Sequence, residues 1–219
     1  MHPLRKILSP VLRPAVQWYL QKERTYSYHG ISLKIFPGVF HPGLFFSTKF
    51  LLSSLENFDL KNKSLLEPGA GSGLISFVAE KKGAAVVASD LSEAALNGLR
   101  QNRETLHSNI RIIKSDVFNE IPSAGFDFIV INPPYYQRNA EEEWQLAWYC
   151  GEDFNYFVKL FSQLVKFTHA KSRVMMVLSE DCNIFTIRKI AKQHGWDLIE
   201  KVRKRFWWEW NFIFECCRI

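Results

Sequence analysis

A short apolar strand that runs into a turn with glycine at every second position sets the strongest limit on what this chain can fold into. In Ser64-Leu65-Leu66-Glu67-Pro68-Gly69-Ala70-Gly71-Ser72-Gly73 the apolar run ends on an acid just before the glycines. Leu74 to Lys82 then reads as a helix. Glycine reaches positive φ without strain and lets backbone come close to a ligand. The helix beyond it opens with free N–H groups. Strand, glycine turn and helix in that order begin a βαβ unit of the kind that holds a small ligand.

The same rhythm continues to the end of the chain. Strands are predicted at Ala84 to Asp90, Ile110 to Lys114, Phe126 to Ile131 and Arg173 to Leu178. Helices are predicted at Ser92 to Asn102, with Ser92 as N-cap, at Phe154 to Phe167 and at Ile184 to His194. Leu198 to Ile219 reads as two strands around a turn near Trp208. No helix separates those two, so they pair as a hairpin and set one antiparallel strand among parallel ones. Strands and helices that alternate in this way define an α/β fold. The expected architecture is doubly wound and Rossmann-like, a mainly parallel seven-stranded sheet with a C-terminal antiparallel hairpin.

Upstream, Val11 to Arg24 reads as a helix and Tyr26 to Phe36 as a small hairpin around Gly30. Pro37-Gly38 and Pro42-Gly43 punctuate the next loop. Ser47 or Thr48 is expected to cap a helix through Phe50, Leu51, Leu52 and Leu55. The chain has 219 residues, which suits one domain. The expected division is residues 1–40 as an N-terminal helix and hairpin extension and 41–219 as the catalytic domain.

The four cysteines, Cys150, Cys182, Cys216 and Cys217, form no C-x-x-C pair, and no histidine stands at metal-ligand spacing. Buried free thiols in a reducing cytoplasm are expected, with no metal site. No apolar run is long enough to span a bilayer. The basic N-terminus around Arg5, Lys6 and Arg13 is broken by Pro10 and Pro14, a poor signal peptide. Its first acid is Glu23, as in a transit peptide, yet it runs straight into patterned sequence. The formal charge of +6 favours an anionic partner, which can be nucleic acid or an acidic surface.

Spacing narrows the ligand. Gly69, Gly71 and Gly73 give G-x-G-x-G, where a dinucleotide cradle has G-x-G-x-x-G. A diphosphate disfavours a carboxylate such as Glu67 beside it, whereas a ligand bearing ammonium and sulfonium charges tolerates one. Asp90 ends the second strand, where a carboxylate accepts from ribose hydroxyls. Asp116 follows the third, near the place of an adenine amino group.

Asn132-Pro133-Pro134-Tyr135 ends the fourth strand. An amide or exocyclic amino nitrogen is a weak nucleophile because its lone pair is delocalised. The Asn132 side-chain oxygen and the Pro133 carbonyl can accept its two N–H bonds and orient it. The prolines stiffen the backbone, and Tyr135 can lie against a flat target.

Taken together, the glycine turn, Asp90, Asp116 and the tetrapeptide resemble the small-domain class I methyltransferases. The likeness is to the HemK-type glutamine methyltransferases and the related adenine-N6 enzymes, from about Val39 to Leu178. It implies S-adenosylmethionine as cofactor and S-adenosylhomocysteine as product. It implies cofactor contacts at Glu67, Gly69, Ala70, Gly71, Gly73, Asp90, Leu91, Asp116, Val117 and Asn132. By the same resemblance the Pro42 to Thr48 loop covers the methionine part, through Pro42 and Thr48. Asn132, Pro133, Pro134 and Tyr135 are the implied catalytic residues. Gly151-Glu152-Asp153 is also similar to the HemK group, which favours a protein side chain such as glutamine as acceptor. Release-factor enzymes of that group carry a separate N-terminal helical domain. Here residues 1–40 are too few for it, so another acceptor than release factor is expected. The other candidates are a base amino group of RNA or DNA, and a binding protein of this fold without catalysis.

Three further features have two readings each. Glu141, Glu142 and Glu143 lie with Trp144 and Trp148 in a loop after Tyr135, either gating the substrate or forming a solvated acidic helix. Phe45 and Phe46 are core or cofactor wall. Lys201, Arg203, Lys204 and Arg205, followed by Trp207, Trp208 and Trp210, suit a nucleic-acid surface. They equally suit a hairpin whose indoles cap the core while the cations snorkel at its edge.

Overall fold

The computed structural model describes residues 21–206 and 209–219. The helix expected from Val11 lies outside them as far as Leu20, and Arg24, its expected last residue, instead opens a strand. Trp207 and Trp208 lie outside them too. β1 (Arg24–Tyr28) and β2 (Ile31–Ile35) pair antiparallel across His29 and Gly30. Those two residues have φ of 45° and 76°, the backbone of a two-residue turn whose twist matches its strands. Ile31, Leu33 and Ile35 alternate inward and join the main core. The hairpin therefore shares its core with the sequence after residue 41 rather than standing before it as an extension.

α1 (Phe46–Leu55) starts earlier than expected, with Phe45 at the N-cap and no side-chain cap. Ser47 and Thr48 are buried inside its first turn. They do not cap because their side chains turn into the protein, where the Thr48 hydroxyl has a different partner, Asn132.

The remaining elements follow the predicted order. They are β3 (Ser64–Pro68), α2 (Leu74–Lys81), β4 (Ala85–Asp90), α3 (Glu93–Thr105), β5 (Arg111–Lys114) and β6 (Phe128–Ile131). Then come α4 (Asn155–Gln163), β7 (Arg173–Ser179), α5 (Ile184–Gln193), β8 (Trp196–Phe206) and β9 (Glu209–Arg218). The expected helix from Phe154 to Phe167 is α4 followed by a 3-10 turn at Leu164–Phe167. Ser92 caps α3 as expected, accepting from the Ala95 N–H.

Seven strands form one sheet in the order β5-β4-β3-β6-β7-β9-β8. All neighbours are parallel except those of β9, which runs antiparallel to both β7 and β8. Period-two alternation divides the core. Leu65, Phe128, Val130, Met175, Val177 and Ile213 face α1, α2 and α3. Leu66, Ile129, Ile131, Met176, Leu178 and Phe214 face α4 and α5. Both faces are covered, which is why these strands read as unbroken apolar runs. Among the described residues no helix is long and apolar enough to cross a membrane.

Candidate active site

The strand order reverses between β3 and β6. In open α/β sheets a crevice forms there, outside the carboxyl ends of the strands. A cavity of about 510 Å³ occupies it, a volume ordinary for a small-molecule site. Glu67, Gly69, Ala70, Gly71, Asp90, Leu91, Asp116, Val117, Asn132, Pro133, Pro134, Tyr135 and Thr48 all line it. Residues from five separate segments are thus brought together.

Two expected contacts are not among the lining. Pro42 is buried and does not line the cavity. Gly73 has φ +75°, and a Cβ there would stand 2.4 Å from Leu99 Cδ2 and 2.8 Å from Phe77 Cε2. Its role is close packing of the turn onto α3. Gly69 and Gly71 serve the cavity instead, with φ of 69° and 52°. A Cβ on Gly69 would meet no atom within 4 Å, so that backbone faces open space.

Glu67 is 4% exposed. Its Oε2 accepts from the Ser76 N–H at 2.9 Å and from the Ser76 hydroxyl. Burial pushes its carboxyl up from 4.5 to about 8, with the Ser76 bonds opposing. The folded protein therefore holds a proton that the unfolded chain releases between those values. Stability is lost as pH rises through that window. Melts at pH 5 and pH 8 should show the wild type weakening more with pH than Glu67→Gln. Equal pH dependence in the two proteins would contradict this environment.

Asp90 is held from two sides. Its Oδ2 accepts from the Gly71 N–H at 2.8 Å and its Oδ1 from the Ser92 N–H at 2.9 Å. Burial raises its pKa against those bonds. Each oxygen retains a lone pair for a ligand hydroxyl. Leu91 beside it is 37% exposed, an apolar face turned to the cavity. Asp116 accepts from the Lys159 ammonium, which comes from α4. Tyr156 lines the cavity one turn earlier, and its phenol is pushed up by burial and then by Asp90 and Asp116. Sequence reading missed Tyr156 and Lys159. Their spacing of three on one helix face was the available signal.

At the end of β6, Asn132 is fixed at both ends of its amide. Its Nδ2 donates to the Thr48 hydroxyl at 3.2 Å, and its Oδ1 accepts from the Tyr135 hydroxyl at 3.1 Å. Tyr135 was expected only as a stacking face. Its hydroxyl also holds Asn132, and burial raises its pKa, so the phenol stays a proton donor.

The cavity has a roof. Tyr136 pairs with Tyr149, and the segment between carries a 3-10 helix at Glu143–Ala147. Glu141, Glu142 and Glu143 are exposed, yet the Glu143 carboxylate accepts from the Glu93 N–H and caps α3. Trp148 packs on Phe40 and Phe45, with ring centroids 5.0 and 4.8 Å apart. Phe45 is thus part of the roof support, while Phe46 stacks on Phe206. Trp148→Ala should weaken ligand retention in the cavity by about tenfold, an ordinary cost for a half-buried aromatic that lines a site. Calorimetry checks this, and unchanged affinity would mean the roof plays no part.

This fold and site define a methyltransferase-type domain. The chain belongs to the methyltransferase small domain family, whose model matches residues 30–149. It is 37% identical over 115 residues to a provisionally assigned protein N5-glutamine methyltransferase of Methanocaldococcus jannaschii, covering 52% of this chain and 56% of that one. It is 36% identical over 118 residues to the release factor glutamine methyltransferase of Streptococcus pneumoniae, covering 53% and 42%. The chain thus spans about half the length of these relatives. Among solved structures, the T. thermophilus 16S rRNA N2 G1207 methyltransferase, in complex with AdoMet and guanosine, superposes with a TM-score of 0.62. The two are 18% identical over 88% of this chain and 50% of that one.

Proposed function

We propose that this protein transfers a methyl group from S-adenosylmethionine to a planar side-chain amide nitrogen of a protein, as glutamine presents. The single observation that carries the reading is the Asn132 amide, held by Thr48 and Tyr135 on the wall of the cavity. The relatives named for glutamine methylation support the choice of acceptor.

The cavity suits that cofactor by its own chemistry. Gly69 leaves room where a side chain would intrude. Glu67 is a buried carboxyl that an ammonium or sulfonium would draw toward ionisation. Asp90 offers acceptor positions for ribose, and Leu91 an apolar face for a purine. When bound, the cofactor supplies an electrophilic methyl carbon on sulfur. The protein's residues do the rest. Asn132 Oδ1 and the Pro133 carbonyl accept the two N–H groups of the acceptor and aim its nitrogen. The same two acceptors stabilise the positive charge that grows on it, until loss of one of the two N–H protons leaves the neutral N-methyl amide. Thr48 and Tyr135 keep the Asn132 amide from turning, and the roof over Trp148 excludes water. The four thiols are free, which suits a cytoplasmic setting.

A base amino nitrogen is the second reading. It has the same planar geometry, and the exposed cations of β8 favour it. The test is to incubate the protein with methyl-labelled cofactor and separated protein, RNA and DNA fractions. Label should enter protein. Label in nucleic acid alone would overturn the acceptor, and label nowhere would overturn the enzyme.

A further inference from the structure

β8 is the last strand of the sheet, and among the described residues nothing pairs with its outer edge. A bulge between Glu200 and Val202 interrupts its register with β9. Beyond it, Val202 to Phe206 pair regularly with Ile213 to Glu209. That stretch of five residues spans about 16 Å of strand edge. Its residues from Val202 to Arg205 are exposed.

The edge is cationic. Arg203 is paired with Glu200 at 3.4 Å. Lys204 lies over the Phe206 ring at 5.3 Å and Arg205 over the Trp210 ring at 5.9 Å. Among the described residues neither Lys204 nor Arg205 has a carboxylate within ion-pair distance. Two positive charges therefore stand beside unpaired backbone groups.

The edge also leads to the site. Asn211 opposes both Lys204 on β8 and Ser179, the last residue of β7. Residues 205 and 206 thus run past the carboxyl end of β7, on the side where the cavity opens. Phe206 then stacks flat on Phe46, centroids 4.9 Å apart. Two residues further along α1, Thr48 holds Asn132.

We propose that the outer edge of β8 from Val202 to Phe206 docks an extended, acidic segment of a protein partner by strand addition. For what that segment carries, an amide aimed at Asn132, the proposal rests on the reading above. Backbone N–H and C=O groups alternating at strand spacing match another peptide in full, whereas the phosphates of a nucleic acid accept only from the N–H groups and leave the carbonyls unmatched. The cations select acidic side chains on that peptide.

The probe is a short fluorescein-labelled peptide of alternating Glu and Val around one Gln, followed by fluorescence anisotropy on the full chain. The peptide should bind, and N-methylation of alternate backbone nitrogens should abolish binding. The double variant Lys204→Glu, Arg205→Glu should weaken it by at least about tenfold. S-adenosylhomocysteine affinity, measured by calorimetry on the same variant, should be unchanged and reports that the fold is intact. No binding would mean that the cations only deter strand pairing and would overturn the proposal. Binding indifferent to N-methylation, or tighter binding of a single-stranded RNA of equal length, would overturn it too. A protein that binds the peptide but not S-adenosylhomocysteine would sink the methyltransferase reading and leave the docking edge standing.

Discussion

Replacing Asn132 with alanine is expected to cut methyl transfer by about two to three orders of magnitude, the usual cost of removing a group aimed at charge that develops in the transition state. Cofactor affinity should stay within severalfold. Asn132 is only half-buried, and its two bonds, to Thr48 and Tyr135, are side chain to side chain. In its proposed role the variant loses the acceptor for the substrate N–H, while the backbone pairing of β6 is untouched. The comparison between turnover and calorimetric affinity is the check. Near wild-type turnover would remove Asn132 from the chemistry. A collapse in both would mean that Asn132 mainly shapes the cavity. Thr48→Val would then add a gradation. It removes the hydroxyl that accepts from Nδ2, so turnover should fall less than in Asn132→Ala while affinity holds.

The largest expected loss of stability is at Gly73. A methyl group there would meet Leu99 and Phe77, both essentially buried, at 2.4 and 2.8 Å. Overpacking of this kind costs about 1–3 kcal/mol, and the left-handed backbone adds about 1 kcal/mol for a residue with a Cβ. Domains of this size lose roughly 2–4 °C of Tm per kcal/mol. Gly73→Ala should therefore melt about 5–15 °C below the wild type. Gly69→Ala is the contrast. Its Cβ would meet nothing, so its melt should shift by only a few degrees, roughly the cost of its positive φ. That same Cβ would intrude on the cavity and weaken ligand binding. Similar melts for the two variants would contradict the division of the turn into a packing glycine and cavity glycines.

Much of this site was legible because parallel strands deliver their carboxyl ends to one side. Glu67, Asp90, Asp116 and Asn132 each end or directly follow an apolar run, and the fold alone brings them together. The mainly parallel seven-stranded sheet and its one antiparallel strand followed from the same pattern, whereas the order of the strands came only with the structure. What stayed hidden depends on contacts between distant segments. Lys159 meets Asp116 across 43 residues. Trp148 finds Phe40 and Phe45 more than 100 positions away in sequence. Ser47 and Thr48 look like caps by residue type, yet tertiary packing turned both hydroxyls inward. Gly73, expected as a ligand contact, is not among the cavity lining and packs against Leu99 and Phe77; sequence could not separate the two because one residue type serves both close packing and ligand approach.

Identifying the methylated atom is the direct check on the proposed role of the Asn132 amide, which is to orient a planar protein nitrogen toward a methyl donor. Protein labelled by this enzyme and its cofactor should be digested completely to amino acids and the label traced by mass spectrometry. N5-methylglutamine is the expected product, absent when Asn132→Ala replaces the wild type. Label recovered on a carboxylate, a lysine amine or a nucleotide base would contradict it.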